Sequence, residues 1–321
     1  MPPRALWYAA KDRVELRPVE VAPPADNEVA IRALYSGLSR GTERLILKGL
    51  VPASERTRMR CPRQDGTFPF PVKYGYALVG VVEAGPADRI GQTVFALNPH
   101  QERATILAAD AHPLPAGLPA RRAVLSANME TALTAIWDGG VAPGDKVLVV
   151  GGGVIGLLSA ALAARIAGTE VTVVDIDPAR ADLARRLGAA FALPDGAPHD
   201  QDVAIHASAS QEGLRLALDR AGREACVVEA SWYGDRAVTL SLGENFHSRR
   251  LRIVSSQVGA LPAYRAARWS HARRLRKAMA MLADDAFDGL IGDEIPFADA
   301  PTAVPRALMD GGGPMTVLKY D

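Results

Sequence analysis

A chain of 321 residues, 48% hydrophobic and 23% charged, is long enough for two domains with separate cores. With 37 Lys and Arg against 36 Asp and Glu, the net charge of +1 makes no electrostatic case for a nucleic-acid or anionic-membrane partner. Only Cys61 and Cys226 are present, which excludes a disulfide framework and a four-cysteine structural zinc lobe and suits a reducing cytoplasm.

The opening MPPRALWYAAKDR lacks the apolar stretch of a secretory signal, so a cytoplasmic location is expected. After it, ALWYAA, VELRPVEV, EVAIRALYSG, ALVGVVEAG, GQTVFAL and RATILAA alternate with Pro and Gly turn signals. This pattern predicts an antiparallel, barrel-like domain over residues 1–120. The stretch KGLVPASERTRMRCPRQDGTFPFPV (48–72) is too long and polar for a hairpin loop. It is expected to form a lobe on the substrate side, with Met59, Phe68 and Phe70 shaping the pocket.

Near residue 120 the texture changes. ARRAVLSANMETALTAIWDGG has helical spacing, and strands and helices alternate from there through LRIVSSQVG. The alternation predicts a doubly wound α/β domain with a parallel sheet over 121–260. The tail, 261–321, holds a basic helix (264–284), EIPFADA and a last strand, MTVLKYD, and is expected to return to the front domain. The basic runs HSRRLR (247–252) and HARRLRK (271–277) are expected on solvated faces or strand edges. VLVVGGGVIGLLSAALAA (147–164) is apolar and long enough for a membrane span, but three consecutive glycines predict a buried strand, a tight turn and a buried helix.

That turn, Gly151-Gly152-Gly153-Val154-Ile155-Gly156, carries the strongest chemical signal. Gly151 permits the tight turn, Gly153 lets the backbone approach a pyrophosphate, and Gly156 lets helix and strand pack closely. The helix start at Val154 and Ile155 presents free N–H groups to the anion. Asp175 ends the next strand, where a carboxylate accepts from ribose hydroxyls and repels a 2′-phosphate, so NAD(H) is expected over NADP(H). His206 and Ser208 end the strand DVAIHAS at the carboxyl edge, where ligands of such sheets sit. Ser208 is a cofactor candidate; His206 is expected to be a hydrogen-bonded structural residue rather than a base, and Trp232 and Tyr233 to supply apolar walls.

YSGLSRGTE (35–43), KYGYALVGVVEAG (73–85), METALTAIWDGGVAPGDKVLVVGGGVIG (129–156) and the DID of 175–177 together span most of the chain. On these pieces it resembles the medium-chain dehydrogenase/reductase superfamily, close to a bacterial branch that includes hydroxyethyl-bacteriochlorophyllide-type dehydrogenases. The resemblance implies a GroES-like antiparallel β-barrel domain beside a Rossmann domain. It also implies Thr131 beside the nicotinamide, and a homodimer formed by pairing LRIVSSQVG with its copy. Zinc alcohol dehydrogenases of the superfamily carry Cys, then Gly-His-Glu, then Cys or Glu as catalytic ligands. Those positions here fall on Ser39, on Gly75-Tyr76-Ala77 and near Ala127, so no zinc is expected. Glu43, Glu130 and His100 form no alternative ligand set with a recognisable spacing.

Without a metal, a substrate oxygen needs hydrogen-bond donors or a general acid. Tyr76, Ser39 and Thr42 are the leading catalytic candidates, with His100 behind them. Filling the space of an absent metal is the alternative role for Ser39 and Tyr76. Arg40 or Lys73, if close, is expected to lower the Tyr76 pKa, and Glu130 to balance one of these cations. The expected activity is a zinc-independent, NAD(H)-dependent conversion between an alcohol and a carbonyl on a small-molecule substrate. Quinone or enoyl reduction, and dinucleotide binding without turnover, are the alternatives.

Overall fold

The computed structural model describes residues 2–309 and 313–321. The chain forms two units, one of residues 1–127 and 279–321, the other of residues 128–278.

The first unit opens with β1 (Arg4–Ala10), β2 (Arg13–Pro18) and β3 (Glu28–Gly37), then helix α1 (Arg40–Lys48). Strands β4 (Asp65–Gly66), β5 (Val72–Lys73), β6 (Leu78–Ala84), β7 (Thr93–Ala96), β8 (Arg103–Leu107) and β9 (His112–Pro113) follow, then the short helix α2 (Ala120–Ala123). Alternation is clearest in β3, where Val29, Ile31 and Ala33 are buried, the first two against Val82, Val94 and Ile106. Within the stretch 48–72, expected as a lobe on the substrate side, residues 65–66 and 72 enter a sheet. Its β4 pairs with β5 and β5 pairs with β1, completing a sheet of order β2-β1-β5-β4. Phe68, expected to shape the pocket, is buried against Tyr74.

Helix α3 (Ser126–Gly139) leads into the second unit. There β10 (Lys146–Val150), α4 (Val154–Ala164), β11 (Glu170–Val174), α5 (Ala181–Arg186), β12 (Ala190–Ala192), β13 (Gln201–His206), α6 (Gln211–Arg220) and β14 (Ala221–Glu229) alternate. Helix α7 (Asn245–Ser248) precedes β15 (Arg252–Ser255). The six strands form a parallel sheet of order β12-β11-β10-β13-β14-β15. Strand order reverses between β10 and β13, which places the ligand crevice of this sheet type at their carboxyl ends. Helix α4 is nearly uniformly buried, which explains its unbroken apolar sequence. No helix among the described residues is long and apolar enough to cross a membrane.

The basic helix expected over 264–284 is two pieces, α8 (Ala263–Ala266) and α9 (His271–Met281). Ser270 starts the second, its Oγ accepting from the Arg273 N–H at 3.2 Å. Residues 261–278 belong to the second unit rather than to the returning tail. Buried Arg274 holds Glu130 at 2.9 Å, Thr134 at 3.1 Å and the Val258 carbonyl at 2.6 Å, all within that unit. The tail then adds β16 (Ile291–Pro296), α10 (Ala300–Met309) and β17 (Met315–Lys319) to the first unit, in a sheet of order β16-β17-β3-β6-β7-β9.

Candidate active site

In the first unit the site is built around one buried carboxylate. Glu43 lies in the first turn of α1 and is fully buried. Its Oε1 accepts from the Ser39 backbone N–H at 2.6 Å, and its Oε2 accepts from the Tyr8 hydroxyl at 2.6 Å. His100 Nε2 meets Oε2 at 2.9 Å, while Nδ1 lies 2.7 Å from Ser36 Oγ, which in turn lies 2.8 Å from the Tyr320 hydroxyl. Burial alone would raise the Glu43 pKa; the His100 charge and the bonds from His100, Tyr8 and Ser39 outweigh it and hold the carboxyl below its ordinary value. The network joins β1, β3, α1, the loop at His100 and the chain end, so it fixes where the 39–43 turn sits.

His100 therefore stands behind the site rather than in it. It is fully buried and both ring nitrogens are engaged, which leaves no atom to meet a substrate. Gly75 explains how the next loop fits over it. Its φ is +124°, and a Cβ there would lie 2.6 Å from the imidazole Cδ2.

Beyond that glycine, the Tyr76 hydroxyl donates to Thr42 Oγ1 at 3.4 Å, and its ring meets Tyr74 edge-on at 6.0 Å. Ser39, Thr42 and Tyr76 are thus brought together, with Tyr76 and Thr42 partly exposed. Burial pushes the Tyr76 phenol up to about 12, against the hydrogen bonds with Ser39 and Thr42 that lower it. The expected depression by a neighbouring cation does not occur. Lys73 Nζ is directed to Asp65 at 3.9 Å, and burial lowers its own pKa. Glu130 balances neither Arg40 nor Lys73, because it is paired with Arg274.

The donor set does not fit a catalytic zinc. Ser39 and Tyr76 are hydroxyls, and Glu43 and His100 saturate one another. Burial raises the Cys61 thiol to about 12. Among the described residues no group of three His, Cys, Asp or Glu side chains is placed to hold a metal ion.

The second unit carries the glycine loop at the reversal between β10 and β13. Gly151 has φ +110°, and a Cβ on it would lie 2.8 Å from the Ser208 backbone nitrogen. A Cβ on Gly156 would fall 1.8 Å from the Gly151 carbonyl oxygen, so α4 approaches β10 only because that residue has no side chain. A Cβ on Gly153, by contrast, meets nothing within 4 Å, and it precedes Val154 and Ile155, whose N–H groups open α4. Asp175 anchors the loop, its Oδ2 accepting from Gly152 N–H at 2.6 Å and its Oδ1 from Asp177 N–H at 2.8 Å. Each oxygen keeps a second lone pair for a ligand. These features fit a dinucleotide, with the loop and helix start on the pyrophosphate and Asp175 on a ribose. Thr131 lies on α3, partly exposed, one residue after the Glu130 that Arg274 holds.

Ser208 is exposed beside this loop, and His206 is a buried, hydrogen-bonded residue, as the sequence suggested. Tyr233 is more than an apolar wall, since its hydroxyl donates to Glu229 at 3.0 Å. Sequence reasoning missed Glu43 as the hub of one unit and Glu229 at the corresponding edge of the other. Both left a signal. Glu43 lies four residues after the motif serine Ser39, and Glu229 ends the apolar strand CVVE, where an acid needs a partner.

The family model for the alanine dehydrogenase/PNT C-terminal domain matches residues 123–225. Over 306 residues, covering 86% of this chain and 87% of the relative, the chain is 27% identical to D-guloside 3-dehydrogenase of Escherichia coli (strain K12). A dehydrogenase from Sinorhizobium meliloti 1021, described as zinc-binding and solved with NADP, superposes with a TM-score of 0.77 at 19% identity, covering 99% of each chain. An alcohol dehydrogenase from Escherichia coli CFT073, solved with NADH, gives a TM-score of 0.78 at 17% identity, also covering 99% of each.

Proposed function

We propose that this chain, which belongs to the medium-chain dehydrogenase/reductase superfamily, is an oxidoreductase that uses NAD(H) to interconvert an alcohol and a carbonyl without zinc. The observation that carries the reading is the Ser39–Thr42–Tyr76 hydroxyl group, in which Ser39 and Tyr76 stand at positions that match metal ligands of the zinc alcohol dehydrogenase pattern and Thr42 lies beside them.

The bound dinucleotide supplies the hydride acceptor or donor. The chain's own residues bind and orient. Gly151, Gly153 and Gly156, with the N–H groups at Val154 and Ile155, hold the pyrophosphate, and Asp175 receives the ribose hydroxyls. Its carboxylate opposes a 2′-phosphate, which supports NAD(H) over NADP(H). Thr131 and Ser208 are assigned as further cofactor contacts. The Tyr76 phenol, kept protonated at neutral pH by its raised pKa, donates a hydrogen bond to the substrate oxygen and stabilises charge as it develops there. For this the phenol turns its one proton away from Thr42 Oγ1, and Thr42 in turn donates to the phenol oxygen, while Ser39 lines the same turn.

The name of the guloside relative supports a secondary alcohol on a polyhydroxylated compound as substrate. The position of β15 supports a homodimer formed by pairing that strand with its copy: it is an outer strand of the parallel sheet, and Ile253 on it is exposed. We assign the protein to the cytoplasm on the same reading.

A panel of sugar glycosides, polyols and simple secondary alcohols, assayed with NAD⁺ and NADP⁺, tests the proposal. Turnover of a polyhydroxylated alcohol with kcat/KM for NAD⁺ at least roughly tenfold above that for NADP⁺ is expected. Reduction confined to quinones or enones, or a preference for NADP⁺, overturns it.

A further inference from the structure

At the carboxyl edge of the parallel sheet, five side chains form a hydrogen-bonded line of which the hydride-transfer reading uses only Ser208. Glu229 Oε2 accepts from the Tyr233 hydroxyl at 3.0 Å and faces His206 Nδ1 at 2.8 Å, while Oε1 accepts from the Ser231 N–H at 2.8 Å. His206 Nε2 lies 2.6 Å from Ser208 Oγ, which lies 2.9 Å from Ser210 Oγ. Ser210 caps α6, its Oγ accepting from the Gly213 N–H at 3.0 Å. His206 is fully buried and Ser208 is exposed, so the line runs from inside the sheet to its surface. Gly213 leaves room for it, since a Cβ there would lie 2.3 Å from Ser208 Oγ.

The direction of each bond follows from the ends. Glu229 is an acceptor, so Nδ1 of a neutral imidazole carries the ring proton and donates to it. Nε2 is then the bare nitrogen and accepts the Ser208 hydroxyl proton. Ser210, whose oxygen already accepts from Gly213, donates its own proton to Ser208 Oγ. The Ser208 oxygen has thereby spent its one proton and keeps a lone pair for one further donor.

This oxygen sits at the dinucleotide crevice. His206 pairs in register with Val150, the last residue of β10, and the Ser208 backbone packs against Gly151. Phosphate oxygens only accept, whereas ribose hydroxyls donate. We infer that His206, oriented by Glu229, is a positioning residue that makes Ser208 a hydrogen-bond acceptor for a ribose hydroxyl of the bound dinucleotide. The inference rests on the dinucleotide reading above.

Fluorescence titration with NADH on the full-length protein tests it, using Ser208→Ala, His206→Leu and the double variant, each checked for folding by thermal melting. Each single variant is expected to bind NADH roughly three- to tenfold more weakly, the range for one lost hydrogen bond. The double variant is expected to bind no more weakly than Ser208→Ala, because His206 acts through that hydroxyl. If His206→Leu fails to fold, His206→Gln replaces it; its side-chain oxygen keeps an acceptor near the Nε2 position, and affinity within about threefold of wild type is expected. An unchanged Kd for Ser208→Ala overturns the inference. So does an equal effect of His206→Leu with and without Ser208, or a His206→Gln protein weakened as much as Ser208→Ala. A wild-type protein that binds no NADH instead overturns the dinucleotide reading itself.

Discussion

In the proposed reaction Tyr76 and Thr42 meet the substrate oxygen, and the environment of Tyr76 decides what it can do there. Burial raises its pKa to about 12, so the phenol is a donor and not a base at neutral pH. Tyr76→Phe is expected to lower kcat by roughly 10²–10³, the cost of one donor to a developing oxyanion, with the Kd for NADH unchanged. Unchanged kcat would reduce Tyr76 to a space-filling residue. The same variant carries a pH signature. An acid whose folded pKa exceeds its unfolded value of 10.0 contributes stability that is complete below pH 10 and is lost as pH rises through about 12. Between those values the Tm of the wild-type protein should therefore fall more steeply than that of Tyr76→Phe, and parallel slopes would contradict the shift. Ser39, Thr42 and Tyr76 were legible as a group because each falls in a short local motif, YSGLSRGTE or KYGYALVG. Their hub was not: nothing local to Glu43 says that Tyr8 and His100 converge on it, since those contacts join residues far apart in the chain.

At the scale of elements, the β10–loop–α4 unit was the most legible part of the chain, because its requirements are local. A strand, three glycines and an apolar helix are consecutive in sequence, and Gly151 and Gly156 each answer a contact that a Cβ would break. Gly156→Ala is expected to push α4 away from the Gly151 carbonyl, which a Cβ would approach at 1.8 Å. NADH affinity should fall at least roughly tenfold, since the N–H groups of the helix start no longer converge. Calorimetric titration checks this, and undiminished affinity would mean the loop does not bind pyrophosphate. The less legible elements depend on distant partners. Strands β4 and β5 are two residues each, too short to show alternation, and exist because β1 offers them an edge. The break between α8 and α9 rests on Ser270, one polar residue inside a basic run whose composition suggested a continuous helix.

For the whole molecule, the change in texture near residue 120 showed where one architecture gives way to another, while the place where the tail returns was hidden. Residues 261–278 look like tail in composition, yet Arg274 binds them to Glu130 and Thr134 of α3. A buried ion pair spanning more than a hundred positions leaves no trace in local pattern. The same long-range pairing engages Glu130 with Arg274 and His100 with Glu43. The central claim is hydride transfer without zinc, and metal analysis coupled to turnover tests it most directly. Purified protein would be assayed for alcohol-dependent NAD⁺ reduction before and after exhaustive treatment with a zinc chelator, with zinc content measured by mass spectrometry. The account predicts unchanged kcat with zinc far below one ion per chain. Activity lost on chelation and restored by stoichiometric zinc would contradict it.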